Sequence, residues 1–104
     1  MKISIRKEKY IKFAHVMTHP LRYRIVQILK ETKKPLYIAQ ISKDLGLNRK
    51  LVSFHLATLL KNGLVENKYK LKQGTTGGKD EKPMVVNYYK LTEKAKKIIS
   101  LFDL

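Results

Sequence analysis

Apolar residues recur at helical spacing through the N-terminal part of the chain. A first stripe repeats at positions i, i+3, i+4 and i+7, which is the spacing of one helix face. Pro20 cannot continue that helix because it lacks a backbone N–H, but it suits the first turn of a second helix. The pattern therefore predicts two consecutive helices, the first over about residues 7–18. Their apolar faces consist of Tyr10, Phe13, Ala14 and Met17 in the first helix, and of Leu21, Ile25, Ile28 and Leu29 in the second.

The middle of the chain predicts two further helices that are separated by a tight turn. Gly46 is placed to end the first of them in a left-handed conformation, and Asn48 is a favourable N-cap for the second. The second helix has a polar N-terminal half, which is typical of a helix-turn-helix, here over about residues 38–62. The segment 36–38 before this unit can add one small strand. The apolar positions are Ile38, Ile41 and Leu45 in the first helix, and Val52, Leu56, Leu59 and Leu60 in the second.

The pattern changes from helical period to period two after Gly63. Up to Lys72, β-forming and apolar residues alternate with mainly basic ones, which predicts a strand with one wet, basic face. A turn-rich segment follows, and a second strand begins at Met84, so that a hairpin, or wing, covers about residues 64–91. Thr92 then caps a last helix over about residues 92–103.

These elements predict a single domain over residues 1–104 that is mainly α with a small β-hairpin (α+β). The architecture is a winged helix-turn-helix with about five helices and a two- to three-stranded wing sheet. A chain of 104 residues has room for one hydrophobic core. The expected core residues are Leu21, Ile25, Ile28, Leu29, Ile41, Leu45, Val52, Leu56, Leu59 and Tyr89.

The charge balance of the chain indicates a polyanionic binding partner. The chain has 23 Lys and Arg against 8 Asp and Glu, a formal net charge of +15 at pH 7, well above the magnitude of roughly 2–8 that is usual for a small domain. Such an excess is typical of proteins that bind nucleic acid. The absence of cysteine excludes disulfides and thiolate metal sites. We expect a cytoplasmic, nucleoid-associated protein with double-stranded DNA as its partner and no membrane, because no apolar run is long enough for a bilayer and the N-terminus does not resemble a secretory signal.

Several runs of the chain resemble the ArsR-type winged-helix repressors. In order along about residues 10 to 100 they are HPLRYRI, IAQISKDLGL, LVSFHL, LLKNGLV and YKLTE. The resemblance implies a winged-helix fold, binding to DNA, and dimerisation through the first and last helices. Founding members of the family sense metals through paired cysteines at the start of the third helix. Tyr37 and Ala39 stand at the matching positions here, so that thiolate site is missing and the effector is not identified.

The start of the predicted recognition helix carries the first candidates for DNA contact. Arg49 and Lys50 fall in its first turn, where the helix dipole disfavours cations. Phosphates or guanine edges opposite them would explain this choice, although a solvated helix end is the alternative. Phe54 can contact a thymine methyl or pack in a core or an interface. The DNA-binding candidates on this helix are Asn48, Arg49, Lys50, Ser53 and Phe54.

The wing supplies a second set of basic candidates. A row of lysines on one strand face, continued into the following loop, suits contact with phosphates along a groove. Lysines that protect an unpaired edge strand against aggregation would produce the same pattern. The wing candidates are Lys68, Lys70, Lys72, Lys79 and Lys82.

The apolar stripes of the first and last helices predict a dimer interface. A lone winged helix of this size is expected to leave them incompletely covered, and exposed stripes of this kind usually mark an interface. The interface candidates are Tyr10, Phe13, Met17, Ala95, Ile98, Ile99 and Phe102.

No constellation of catalytic or metal-ligating residues stands out. His15 and His19 are four residues apart, but Pro20 interrupts the helix and no third ligand is near in sequence, so we expect no metal site and no cofactor. The carboxylates are scattered, and we expect no enzymatic activity. The interpretation is a homodimeric DNA-binding transcriptional regulator, with a repressor favoured by the resemblance. An architectural protein that coats DNA with little sequence preference is the alternative.

Overall fold

The computed structural model describes residues 5–72 and 83–102, which form five helices and three strands. The predicted winged helix-turn-helix is confirmed, including the small extra strand before the third helix. In chain order the elements are α1 (Ile5–Met17), α2 (Pro20–Glu31), β1 (Leu36–Tyr37), α3 (Ile38–Leu45), α4 (Arg49–Lys61), β2 (Val65–Lys72), β3 (Met84–Leu91) and α5 (Glu93–Phe102).

Local signals in the sequence determine where the helices begin and end. The side chain of Asn48 caps α4 by accepting a hydrogen bond from the Lys50 N–H (2.7 Å). The Thr92 hydroxyl oxygen does the same for α5 by accepting from the Ala95 N–H (3.1 Å). Gly46 ends α3 with a φ of 65°, a left-handed conformation that glycine adopts without a Cβ penalty. These predicted boundaries are therefore confirmed.

The three strands form one antiparallel sheet in the order β1-β3-β2. Leu36 of β1 pairs with Tyr89, and the hairpin runs from the pair Val65 and Leu91 at its base to the pair Lys72 and Met84. The base of the sheet packs on the helices, so that its inner face closes one side of the core.

The buried core confirms most of the predicted residues and adds several others. Leu21, Ile28 and Leu45 are only half-buried, which corrects their assignment to the core. They lie at the margins of the helix faces, where neighbouring helices cover only part of the side chain. The buried apolar residues are Phe13, Val16, Ile25, Val26, Leu29, Ile41, Val52, Leu56, Leu59, Leu64, Val65, Tyr89, Leu91, Ala95, Ile98 and Ile99.

The expectation that the monomer leaves the stripes of α1 and α5 incompletely covered is wrong for four of their residues. Phe13, Ala95, Ile98 and Ile99 are buried in the core of the same chain, because α1 and α5 close the part of the core that the sheet and α2 leave open. Tyr10 and Met17 are partly buried against this core. The side chain of Phe102 lies outside the described residues.

The predicted wet, basic face of β2 is exposed, and the opposite face of the strand is buried only at its first residue. Val65 is buried, whereas Asn67, Tyr69 and Leu71 on the same face are exposed. The hairpin extends beyond the helices, and only its base meets the core. Within the described residues, no helix combines the length and apolarity that a bilayer crossing requires.

Candidate nucleic-acid interface

The first turn of α4 presents two cations to solvent. Arg49 and Lys50 are both exposed, and the turn contains no acidic residue. The Asn48 side chain accepts a hydrogen bond from the backbone N–H of Lys50, and this bond fixes the start of the helix. Cations at a helix N-terminus are unfavourable by about 0.3–1 kcal/mol, so this arrangement is costly for the isolated protein and is relieved by an anion placed opposite.

The outward face of α4 continues this surface with Ser53 and Phe54. Both are exposed, and Phe54 is 63% accessible although it is a large apolar side chain. Val52 and Leu56, on the opposite side, are fully buried. The helix thus has one face in the core and one face that offers a hydroxyl, a phenyl ring and two cations to a partner.

His55 anchors the recognition helix to the N-terminal helices. Its imidazole is buried, and its Nδ1 accepts a hydrogen bond from the Arg22 Nε–H (3.3 Å). Arg22 also donates through Nη1 to the carbonyl oxygen of Val16 (3.2 Å), so one guanidinium joins the end of α1, α2 and α4. The sequence did not reveal Arg22 as the partner of His55, because the two residues are 33 positions apart.

The surroundings of His55 disfavour its charged form. Burial, followed by the charges of His19 and Arg22, lowers the pKa of His55 below its ordinary value. The two imidazole rings lie 4.3 Å apart between centroids. The Nδ1 atom of His19 accepts a hydrogen bond from the Leu21 N–H (3.2 Å) and so caps α2. His55 therefore serves a structural role in its neutral form, and His19 serves as the N-cap of α2.

The lysines of the wing share one sheet face with two tyrosines. The Nζ atom of Lys70 lies 5.7 Å from the centroid of the Tyr88 ring, and that of Lys72 lies 4.7 Å from the centroid of the Tyr37 ring. Lys72 also donates a hydrogen bond to Tyr37 Oη (3.2 Å), which raises the pKa of Lys72. Lys68 is exposed on the same face. Sequence reasoning missed the tyrosines, because their proximity follows from the pairing of β1 with β3.

Among the described residues, no ion pair engages these three wing lysines. The pair that lies nearest in the sheet joins Glu66 Oε1 of β2 to Lys90 Nζ of β3 at 3.2 Å. The positive face of the wing is therefore available to an external anion. The predicted contacts Lys79 and Lys82 lie outside the described residues.

The described residues contain no group of three or more His, Asp or Glu side chains that could hold a metal ion. His15 and His19 belong to different segments, because α1 ends at Met17 and His19 caps α2. Neither residue joins the surface formed by α4 and the wing.

The helix-turn-helix and the start of the wing match a known protein family. Residues 19–67, which include the whole helix-turn-helix, match the model of the bacterial regulatory proteins of the arsR family. Within these residues the chain is similar to the arsR family of bacterial regulators. This similarity confirms the resemblance inferred from the sequence motifs.

Several solved structures share the winged-helix fold of this chain. HlyU from Vibrio cholerae has a TM-score of 0.70 at 22% identity, and the alignment covers 96% of this chain and 94% of that one. The transcriptional repressor BigR from Xylella fastidiosa gives 0.68 at 20% identity, with 94% and 84% covered. A homodimeric winged helix-turn-helix DNA-binding domain from Mycobacterium bovis gives 0.67 at 21% identity, with 97% and 84% covered. No curated protein sequence matches the chain.

Proposed function

We propose that this protein is a transcriptional regulator that binds duplex DNA as a homodimer, with α4 in the major groove and the wing on the backbone. The observation that carries the proposal is the exposed face of α4, where Arg49, Lys50, Ser53 and Phe54 surround a capped helix N-terminus. Helix-turn-helix proteins place the N-terminal residues of this helix against base edges. Arg49 is the candidate for a bidentate contact with guanine, and the wing lysines are suited to phosphates.

The names of the structural neighbours support the repressor role. BigR is described as a transcriptional repressor, and the Mycobacterium bovis protein as a homodimeric DNA-binding domain. A repressor acts by occupying an operator, which requires affinity and position but no catalytic group. Within this proposal the protein acts on the nucleoid in the cytoplasm and has no enzymatic activity.

The dimer is proposed to form through α1 and α5, on surfaces that differ from the stripes predicted from sequence. Ile11 on α1 is 54% exposed and Leu101 on α5 is 61% exposed. Burial of such side chains against a second copy is favourable by about 25 cal/mol per Å² of apolar surface. Neither residue belongs to α4, so pairing through α1 and α5 is compatible with two copies of α4 in adjacent half-sites.

Selection of bound duplexes from a random DNA pool tests whether the protein recognises a specific sequence. Footprinting over genomic DNA tests whether it binds discrete sites or coats DNA evenly. A regulator enriches a palindrome whose half-sites are about one helical turn, roughly 34 Å, apart. Even coverage without enrichment would instead support the DNA-coating alternative, which the net charge of +15 also suits. Absence of DNA binding at low salt would contradict both.

A further inference from the structure

A second basic feature of the molecule is a cleft between the end of α2, strand β3 and helix α5. Its volume is about 590 Å³, which lies in the range of roughly 300–1,000 Å³ that is usual for small-molecule sites. Its apolar floor is formed by Leu29, Leu91 and Ile99, whose side chains belong to the core. No residue of α4 lines it, so the cleft is separate from the surface of the recognition helix.

Lysines are concentrated around this apolar floor. They make up five of the eleven residues that line the cleft, whereas Lys and Arg together account for 23 of the 104 residues of the chain. None of the lining residues, all of which lie in the described part of the chain, is acidic. Thr32 and Ser100 add hydroxyl groups to the rim. The lysines are Lys30, Lys33, Lys34, Lys90 and Lys96.

The ion pairs of Lys90 and Lys96 are weak. Lys90 pairs with Glu66 at 3.2 Å and Lys96 with Glu93 at 3.4 Å, and both pairs are well exposed to solvent. Exposed pairs of this kind contribute little to stability. Lys33 and Lys34 are exposed and form no ion pair with any described residue. The cleft therefore combines an apolar floor with positive charge that the described part of the chain does not neutralise.

We propose that this cleft binds a small organic anion with an apolar body, such as a medium-chain carboxylate. The floor takes the apolar body out of water, and the ammonium groups at the rim receive the carboxylate. An inorganic phosphate or the backbone of DNA would leave the floor unused. Binding of the carboxylate to the cleft does not depend on the proposed binding of the protein to DNA.

The position of Lys90 connects the cleft to the wing. Lys90 and Pro35 also line a groove on the neighbouring sheet face, together with Lys68 and Lys70. An anion that draws the Lys90 ammonium away leaves the carboxylate of Glu66 beside the wing lysines, which lowers the positive potential of that face. Occupancy of the cleft is therefore expected to weaken binding to DNA, and this second effect, unlike binding itself, rests on the proposed function.

A titration of the full-length, ¹⁵N-labelled protein with octanoate tests the proposal by NMR. The expected result is saturable shifts of backbone amides in the segments 29–34, 90–91 and 96–100, which border the cleft. Octanamide, which has the apolar chain without the charge, and acetate, which has the charge without the chain, should each bind at least about tenfold more weakly. Shifts that do not saturate, shifts centred elsewhere, or equal binding of acetate would overturn the proposal.

A pair of charge-matched double variants assigns the effect to the rim of the cleft. Lys33→Gln with Lys34→Gln should weaken octanoate about three- to tenfold. Lys43→Gln with Lys97→Gln removes the same charge from positions that line neither the cleft nor the groove beside the wing, and should leave the affinity unchanged. Equal weakening in both pairs would attribute the binding to net charge and reject the site. Loss of DNA binding alone would concern only the proposed function.

Discussion

At the scale of single residues, the proposed function gives Arg49 and Lys70 two different kinds of contact with DNA. Arg49 lies exposed at the start of a capped helix, where its guanidinium can reach a base edge. The ammonium of Lys70 lies over the Tyr88 ring on an open sheet face, where phosphate is the reachable partner. Substitutions at the two positions are therefore expected to have different effects on the affinity for operator and for random DNA.

Arg49→Ala should cost about 1–3 kcal/mol on the selected operator and little on random DNA. Lys70→Ala should weaken binding to both duplexes and reduce the slope of log K against log salt by about one unit per subunit contact, from near −7 for a dimer with about eight phosphate contacts. A salt titration of each variant on operator and scrambled duplexes measures both effects. Lys61→Ala, at the opposite end of α4 from Arg49, is the lysine control. Equal weakening of both duplexes by Arg49→Ala would reduce Arg49 to a phosphate contact and favour the DNA-coating alternative.

The buried imidazole of His55 should make the stability of the protein depend on pH. Burial and the charges of His19 and Arg22 lower the pKa of His55 in the folded state, while the unfolded chain binds its proton near the ordinary value of 6.5. The unfolded state therefore binds more protons as pH falls through 6.5, and the free energy of unfolding should decrease by up to about 1.4 kcal/mol per pH unit until the folded pKa is reached.

Urea denaturation between about pH 5 and 7.5 measures this dependence. His55→Gln retains an acceptor for the Arg22 Nε–H but removes the titrating group, and should flatten the curve over this range. His15→Gln, at an exposed position, serves as the control and should leave the slope unchanged. A His55→Gln protein with the wild-type slope would show that another group is responsible.

The turn between α3 and α4 sets the orientation of the recognition helix at the scale of elements. The Leu47 N–H donates to the carbonyl oxygen of Ser42 (3.0 Å), and the Ser42 hydroxyl donates to the carbonyl oxygen of Leu47. Gly46 lies inside this closed loop with its positive φ. The two helices are thereby held by local bonds as well as by the core beneath them.

Gly46→Ala should lower the free energy of unfolding by about 1–2 kcal/mol. A Cβ at this position would meet nothing within 4 Å, so the cost comes from the left-handed backbone alone. Gly46→Asn tolerates that conformation better and should lose less. Chemical denaturation of the three proteins tests this order, and an alanine variant as stable as the wild type would contradict the assigned backbone strain.

The whole molecule is expected to function as a pair of chains. Ile11→Asp with Leu101→Asp should shift the dimer to monomers at micromolar concentration, because each carboxylate would be buried in the proposed interface without a partner. Val85→Asp is the matched control, since Val85 on the wing is 66% exposed and lies far along the hairpin from the core. Analytical ultracentrifugation with and without DNA gives the oligomeric state, and a wild-type protein that is monomeric under both conditions would reject the dimer.

Features of the fold that depend on residues close in sequence could be predicted, whereas those that depend on distant residues could not. Asn48 and Gly46 act through bonds to residues a few positions away, so the limits of α3 and α4 could be read from the chain. The stripe of α5 predicted a helix with one covered face but not what covers it, and the structure places Ile98 and Ile99 in the same chain's core. The DNA-binding residues on α4 remain predictions, and the neighbours of the wing lysines depended on strand pairing across the sheet.

The tyrosines beneath the wing lysines give the protein a built-in optical reporter. The chain contains six tyrosines and no tryptophan, so its near-ultraviolet emission comes from phenol rings alone. Emission from a phenol responds to the hydrogen bonding of its hydroxyl and to nearby charge, and Tyr37 experiences both through Lys72. If phosphates attract the ammonium groups of Lys70 and Lys72 away from the rings, the intrinsic fluorescence of the unlabelled protein should change as it engages DNA, and the association could be followed without attaching a dye.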